Sequence, residues 1–206
     1  DPVTDTSGEA IYIRDEETGR FWSPTPLPVR GPMPYVSRHG FGYSIFEYTD
    51  DGISSELTVY VSIKEPVKFS VLKIWNHSGR SRKLSVTKYC ELVLGDLRHK
   101  TSMHIVTEID HRSGTLFARN SYNTEFSNRI VFLDVNDSKR SVTGDRMGFL
   151  GRNGTFADPV VMKRSRLSSK VGPGLDPCAS MQVQFEVADG QEHEIVFIFG
   201  SGKNIE

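Results

Sequence analysis
With 206 residues, 37% of them hydrophobic and 10% aromatic, the chain can bury one large core, and its length suits one all-β domain better than two small ones. Its charge is balanced, 25 basic against 26 acidic side chains, so it lacks the basic face that neutralises phosphates, which argues against nucleic acid as a partner. No apolar run reaches the length of a membrane span and no signal peptide opens the chain, while Asp1 in the first position leads to the expectation of a single domain, residues 1–206, excised from a longer multidomain protein.

In chain order, Arg20–Arg30 (RFWSPTPLPVR) and Pro34–Tyr48 (PYVSRHGFGYSIFEY) come first. Pro24, Pro26, Pro28, Pro32 and Pro34 fix φ and remove backbone donors, so neither a helix nor a central strand is expected. The stretch reads as a stiff extended loop that displays rings and cationic groups. Leu57, Val59, Val61 and Ile63 then alternate with Thr58, Tyr60 and Ser62, a one-sided strand. Val67, Phe69 and Val71 hold one parity and Leu72 and Ile74 the other, which a β-bulge near Val71-Leu72 would reconcile. Leu84, Val86, Cys90, Leu92 and Leu94 alternate again, interrupted by Lys88, and Met103, Ile105 and Ile109 continue the pattern. Ile130–Val135 (IVFLDV) and Ile195–Phe199 (IVFIF) are apolar on both faces, which predicts interior strands sandwiched between layers. Met181, Val183, Phe185 and Val187 form another one-sided strand.

Turn-forming clusters at Asp50–Gly52, His77–Ser81, Arg112–Gly114, Asn136–Ser138 and Asp189–Gln191 punctuate these runs at hairpin spacing. Helical turns are expected only near Asp145–Leu150 and Pro159–Lys163. Regular strands with polar turns give an all-β, large antiparallel β-sandwich. Periodicity alone does not separate a jelly roll from a supersandwich. Cys90 reads as a small buried hydrophobe and Cys178 opens the last strand pair; a reduced compartment is expected, and their pairing stays open.

Two residue sets carry chemistry suited to sugars, whose C–H faces stack on rings and whose hydroxyls need planar polar partners. The first is Trp22, Tyr35, Arg38, His39 and Tyr43, though the same rings serve equally to pack a proline-rich loop onto a sandwich. The second is Arg119, Asn120 and Tyr122, with Asn123, Glu125 and Arg129 nearby. There the Asn side chains also suit a turn stitched to its own backbone. His104, Glu108 and Asp110 share a strand parity with His111 opposite, but ligands four apart on a strand are too distant for one ion, so no metal is expected. No cofactor is expected either: Gly40-Phe41-Gly42 is too short for a dinucleotide, and no Gly-x-Ser-x-Gly, phosphate loop or HExxH occurs.

Gly52–Ile63, Pro66–Gly79, Arg82–Gly95, Phe117–Phe126 (FARNSYNTEF), Arg140–Asn153 (RSVTGDRMGFLGRN) and Gly172–Cys178 follow one another in an order that carries a family resemblance. The chain resembles the N-terminal β-sandwich domain of the cellobiose/chitobiose phosphorylases and, more closely, of the cyclic β-1,2-glucan synthases (glycoside hydrolase family 94, formerly glycosyltransferase family 36). Met147-Gly148 departs from the more polar pair expected there. The resemblance implies a supersandwich of the galactose-mutarotase type. It places the catalytic acid in a downstream (α/α)6 helical barrel, so no catalytic residue is expected in this chain. It further implies a bacterial, cytoplasmic parent anchored in the inner membrane. That parent would act on β-glucan by an inverting, phosphate-using mechanism. The domain would buttress the barrel, contribute to a homodimer and lend a loop to the glucan cleft. An autonomous carbohydrate-binding module and a mutarotase-like sugar epimerase are the alternatives.

Overall fold
The computed structural model describes residues 8–125 and 127–203. Among them thirteen strands form two antiparallel sheets. The smaller sheet runs β11 (Arg140–Asp145), β12 (Pro177–Val187), β7 (Arg82–Glu91), β1 (Glu9–Asp15), β2 (Phe21–Trp22). The larger runs β3 (Tyr35–Gly40), β4 (Tyr43–Asp50), β5 (Ile53–Val61), β6 (Val67–Asn76), β13 (Glu192–Gly202), β10 (Ile130–Val135), β9 (Leu116–Arg119), β8 (Val106–Ile109). Leu57, Leu72, Ile74, Leu133, Ile195 and Phe197 from the larger sheet meet Ile13, Leu84, Val86, Met181 and Val183 from the smaller, and this contact is the main core.

A second core lies on the far side of the smaller sheet. The short helix α2 (Arg146–Leu150) and the chain beyond it lay Phe149, Leu150, Val161, Met162 and Leu167 over Ala10, Tyr12, Tyr89 and Cys178. Strands β7 and β12 are therefore buried on both faces. Sequence patterning assigned that role to β10 and β13, and the structure corrects it. Both lie inside the larger sheet, yet only one face of each is packed: Leu133, Val135, Ile195 and Phe197 are buried, whereas Ile130, Phe132, Val196 and Ile198 are half-covered. The two-sided strands are disguised in the sequence because their hidden positions include Ser85, Thr87, Lys88, Ser180 and Gln182.

Other expectations change in the same way. β6 pairs without a break from Val67 to Asn76, so no bulge exists; Ser70, Leu72, Ile74 and Asn76 face the core, while Phe69 stacks on Tyr60 outside. β5 keeps its alternation only as far as the half-buried Val59, and Val61 and Ile63 project beyond the core edge. Met103 sits on a 3-10 turn (Ser102–His104) and is exposed. The segment Pro34–Tyr48 is largely a hairpin, β3–β4, at the edge of the larger sheet, where prolines need only precede the first strand. The helical turns near Asp145–Leu150 and Pro159–Lys163 and all five turn clusters appear where expected.

The sandwich has two unlike ends. At one, Arg82 ties β1 and β7 to the β4–β5 turn through Asp15 and Asp51. At the other lie the β3–β4 and β5–β6 turns, the start of β1, the exit from β7 and the last residues of β13. No helix among the described residues is long and apolar enough to cross a membrane.

Candidate functional site
A cleft of about 810 Å3 opens at this second end. One wall is the chain leaving β7: Leu94, Gly95 and Asp96, then Lys100 and Thr101 of the short helix α1 (Arg98–Thr101) and His104 of the 3-10 turn. The other is the β9–β10 connection, with Asn120, Tyr122, Asn123, Glu125 and Arg129; Val131 and Ser201 close the floor.

The walls are tied together by backbone-directed hydrogen bonds. Buried Asn120 donates from Nδ2 to the Leu94 carbonyl at 3.0 Å and accepts the Tyr122 N–H at 3.1 Å. Leu94 is held at φ 42°, a left-handed conformation unusual for a leucine, and the Asn120 contact fastens it there. A side chain at Gly95 would strike Thr101 Cγ2 at 2.5 Å, so the close approach of α1 requires glycine. α1 is anchored from behind by Arg98, which pairs with Glu91 at 2.6 Å and with Asp176; Arg146 pairs with the same two carboxylates.

On this frame Tyr122 and His104 stack with ring centroids 4.3 Å apart and planes 12° from parallel. Tyr122 is 76% exposed, so one face rests on the imidazole and the other is open. An open ring face beside Asn, Asp, Glu, Lys and Arg side chains can take the apolar face of a pyranose while hydroxyls bond to the rim. Asp96 is already engaged by Lys100 at 2.9 Å.

The expected site residues do not form one site. Asn120 and Tyr122 come together in the cleft; Arg119 does not, because it lies on the outer face of β9, 3.9 Å from Glu108. Trp22, expected on display, is buried in the main core with the Arg20 guanidinium 5.7 Å from its ring centre. Tyr35 anchors the proline-rich loop: it stacks on Tyr48, donates to the Ser23 carbonyl at 3.0 Å and accepts the Gly31 N–H at 2.9 Å. Arg38, His39 and Tyr43 are exposed on the β3–β4 hairpin, Arg38 paired with Glu47 at 2.6 Å and His39 hydrogen-bonded to Ser44 at 2.9 Å. None of these five lines the cleft. In the sequence His104 suggests only a ligand candidate on a strand. β8 begins at Val106, so that parity does not reach it, and its role is to back Tyr122.

A family model described as the glycosyl hydrolase 94 supersandwich domain matches residues 1–206. The cyclic beta-(1,2)-glucan synthase NdvB of Rhizobium meliloti (strain 1021) is 33% identical over 99% of this chain, which spans 7% of that protein. The N,N'-diacetylchitobiose phosphorylase of Vibrio furnissii is 28% identical over 97% of this chain, which spans 26% of it. Among solved structures, a bacterial glucoamylase complexed with acarbose aligns with 96% of this chain and 27% of its own at a TM-score of 0.51 and 11% identity, a likeness of fold alone. Six motifs in family order, two facing antiparallel sheets and a family match over the full length agree, and the chain belongs to the supersandwich domain of glycosyl hydrolase family 94.

Proposed function
We propose that this chain is the non-catalytic supersandwich domain of a larger β-glucan-acting phosphorylase or cyclic glucan synthase, and that its cleft lends a binding surface to that enzyme's glucan site. The observation that carries the reading is the Tyr122–His104 stack, which leaves one ring face open above a polar cleft. The relatives support the substrate class, and the small share of their length that the domain spans supports a same-chain catalytic partner. The parent works in the bacterial cytoplasm, anchored to the inner membrane, and a homodimer contact belongs to the same proposal.

Turnover by the full polypeptide on β-glucan and inorganic phosphate tests this. Tyr122→Ala should lower kcat/KM by about tenfold or more through lost stacking, with the melting temperature unchanged. Unchanged kcat/KM would remove the cleft from the glucan path. The 206-residue chain alone should release no glucose 1-phosphate. Tight glucan binding by that chain alone would favour an autonomous carbohydrate-binding module, and accelerated sugar anomerisation would favour an epimerase.

A further inference from the structure
We infer that the chain carries a second carbohydrate site, at the opposite end of the sandwich from the Tyr122 cleft, which holds a neutral glucan against the indole of Trp75. A cavity of about 620 Å3 lies there on the outer face of the larger sheet, beside the β4–β5 turn. Ile74 and Asn76 face the core, so Trp75 between them stands outward, in one row with Ser54 and Thr49; Glu56 and Glu47 occupy the next row. Met33, Pro34 and Val36 form the remaining wall. The proline-rich stretch thus borders a cavity through Met33 and Pro34, not through Trp22.

The free groups of this cavity match a sugar. Trp75 is half-buried, and among the described residues it stacks on no other ring and its indole N–H has no hydrogen-bond partner. Glu56 has no ion-pair partner among them either, since Lys73 across from it lies 3.8 Å from Glu194. Ser54 Oγ accepts from Thr49 at 3.0 Å and keeps its own proton for a ligand. A pyranose has a C–H face and a rim of hydroxyls; here it meets a ring with one donor, a carboxylate that only accepts, and a hydroxyl that does both. Charge selects against other ligands. Glu47 and Glu56, with Glu192 beside Trp75 on β13, repel phosphate and other anions. Arg38 already holds Glu47 at 2.6 Å, which leaves a cation little to pair with.

The wall is set before binding. Tyr35, stacked on Tyr48 and hydrogen-bonded to Ser23 and Gly31, fastens the loop one residue from Pro34, and a side chain at Gly31 would strike the Tyr48 hydroxyl. A wall fixed in this way loses little entropy when a ligand arrives. That the ligand is a neutral pyranoside rests on the cavity; that it is a β-glucan rests on the function proposed above. A site remote from the cleft keeps hold of a long glucan while its end turns over, by raising its effective concentration.

Hydroxyl-radical footprinting of the full polypeptide, read residue by residue by mass spectrometry, tests this with a linear β-1,2-gluco-oligosaccharide as the probe. Sorbitol at equal hydroxyl concentration controls for scavenging, and Met147, exposed and outside both cavities, normalises the rates. Oxidation of Trp75 should fall about threefold or more with saturating oligosaccharide and not with sorbitol, which has no ring face to cover the indole. Glu56→Gln changes an outward side chain, so the fold should persist, and the half-saturating concentration for that protection should rise about fivefold or more. Equal oxidation with oligosaccharide and with sorbitol, protection that Glu56→Gln leaves unchanged, or a Trp75 already unreactive without sugar overturns the inference. Tyr122 reports on its own cleft in the same spectra, so failure of that cleft and failure of this site are seen separately.

Discussion

Arg82 places Nε and Nη2 on one oxygen of Asp15, at 3.0 and 2.6 Å, with both side chains almost wholly buried. The same guanidinium reaches the Asp51 carbonyl at 3.1 Å and its carboxylate at 3.0 Å, so a single side chain locks β1 and β7 of the smaller sheet to the β4–β5 turn of the larger. Asp51 holds φ 49° in that turn, ahead of Gly52 at φ 74°. The second carboxylate oxygen of Asp15 accepts the N–H groups of Glu17 and Thr18, each at 2.8 Å. Every charged atom of the buried Arg82–Asp15 pair therefore has a partner, the condition under which a buried ion pair is tolerated.

The clamp makes stability pH-dependent at the acid end. Burial alone would raise the Asp15 pKa, but the Thr18 N–H, the Arg82 guanidinium and the Glu17 N–H outweigh it and hold the group below the ordinary 3.8. A carboxylate with a depressed folded pKa contributes stability that is fully present above its unfolded value and lost as pH falls through the folded one. Urea midpoints should thus separate wild type from Asp15→Asn above about pH 4 and converge below it. Arg82→Ala, which strands a buried carboxylate, should cost about 3–5 kcal/mol near neutrality. A loss under about 1 kcal/mol, the size of a surface pair, would show that the clamp is solvent-accessible in solution.

Leu133 and Val196 are both apolar residues of central strands in the larger sheet, but they differ in cover. Leu133 is fully buried between the sheets; Val196 faces outward and is half-covered. Leu133→Ala should destabilise by about 2–5 kcal/mol, the range for a cavity left in a packed core. Val196→Ala should cost less, about 1 kcal/mol, because a smaller side chain is truncated at a position that keeps contact with water. Equal thermal shifts for the two would mean that the outer face is covered as well.

That contrast marks the limit of what patterning discloses. Strand existence and turn position were legible because Gly, Asp and Asn supply local backbone preferences that act without tertiary help. Layering was not. Whether the second face of β10 or β7 is covered depends on a segment distant in sequence, here the α2 region packed on Tyr12, Tyr89 and Cys178. Polar Ser85 and Thr87 disguise the covered strand, while Phe132 and Ile198 suggest full cover where it is only partial. At the cleft, Asn120 and Tyr122 stood out by residue type. His104 did not, since a 3-10 turn interrupts the strand parity used to place it.

Cys90 and Cys178 should behave as inert buried thiols. Cys90 faces the main core and Cys178 the second core, on opposite sides of the smaller sheet, and both are free. A disulfide would have to pass through the sheet, since Cys178 pairs with Glu91 and Cys90 with Ala179. Burial pushes the Cys90 thiol up to about 12 and raises Cys178 as well, with Asp145 and Glu91 adding to the effect there. A thiol reagent should therefore find no reactive group in the native protein and two after unfolding in non-reducing denaturant. One or none after unfolding would reveal a covalent modification or a bridge.

The last prediction concerns Lys88, the residue that interrupts the apolar alternation of β7. Its side chain is 4% exposed, and Nζ lies 2.6 Å from Glu9 and 3.3 Å from Ser70 on the facing sheet. Glu9 also takes Lys68 of the larger sheet at 2.7 Å, so one carboxylate serves two ammonium groups between the sheets. Burial would raise the Glu9 pKa, but Lys88 and Lys68 together hold it below 4.5. The arrangement predicts an asymmetry. Lys88→Met removes a charge that is costly to bury and leaves Glu9 paired with Lys68, so stability should change by no more than about 1 kcal/mol in either direction. Glu9→Gln leaves Lys88 charged, enclosed and without its counter-ion, and should cost about 3 kcal/mol, the lower end for a broken buried pair because Glu9 itself is one-third exposed. In the double variant most of the loss should disappear, since the enclosed Lys88 charge is gone and Lys68, which also loses Glu9, has a side chain 32% exposed and reaches water. Urea denaturation of the two single variants and the double gives all three values. Equal losses for Lys88→Met and Glu9→Gln would mean that the lysine stabilises the sandwich through its methylene stem and its ion pair alike, and that the asymmetric reading is wrong.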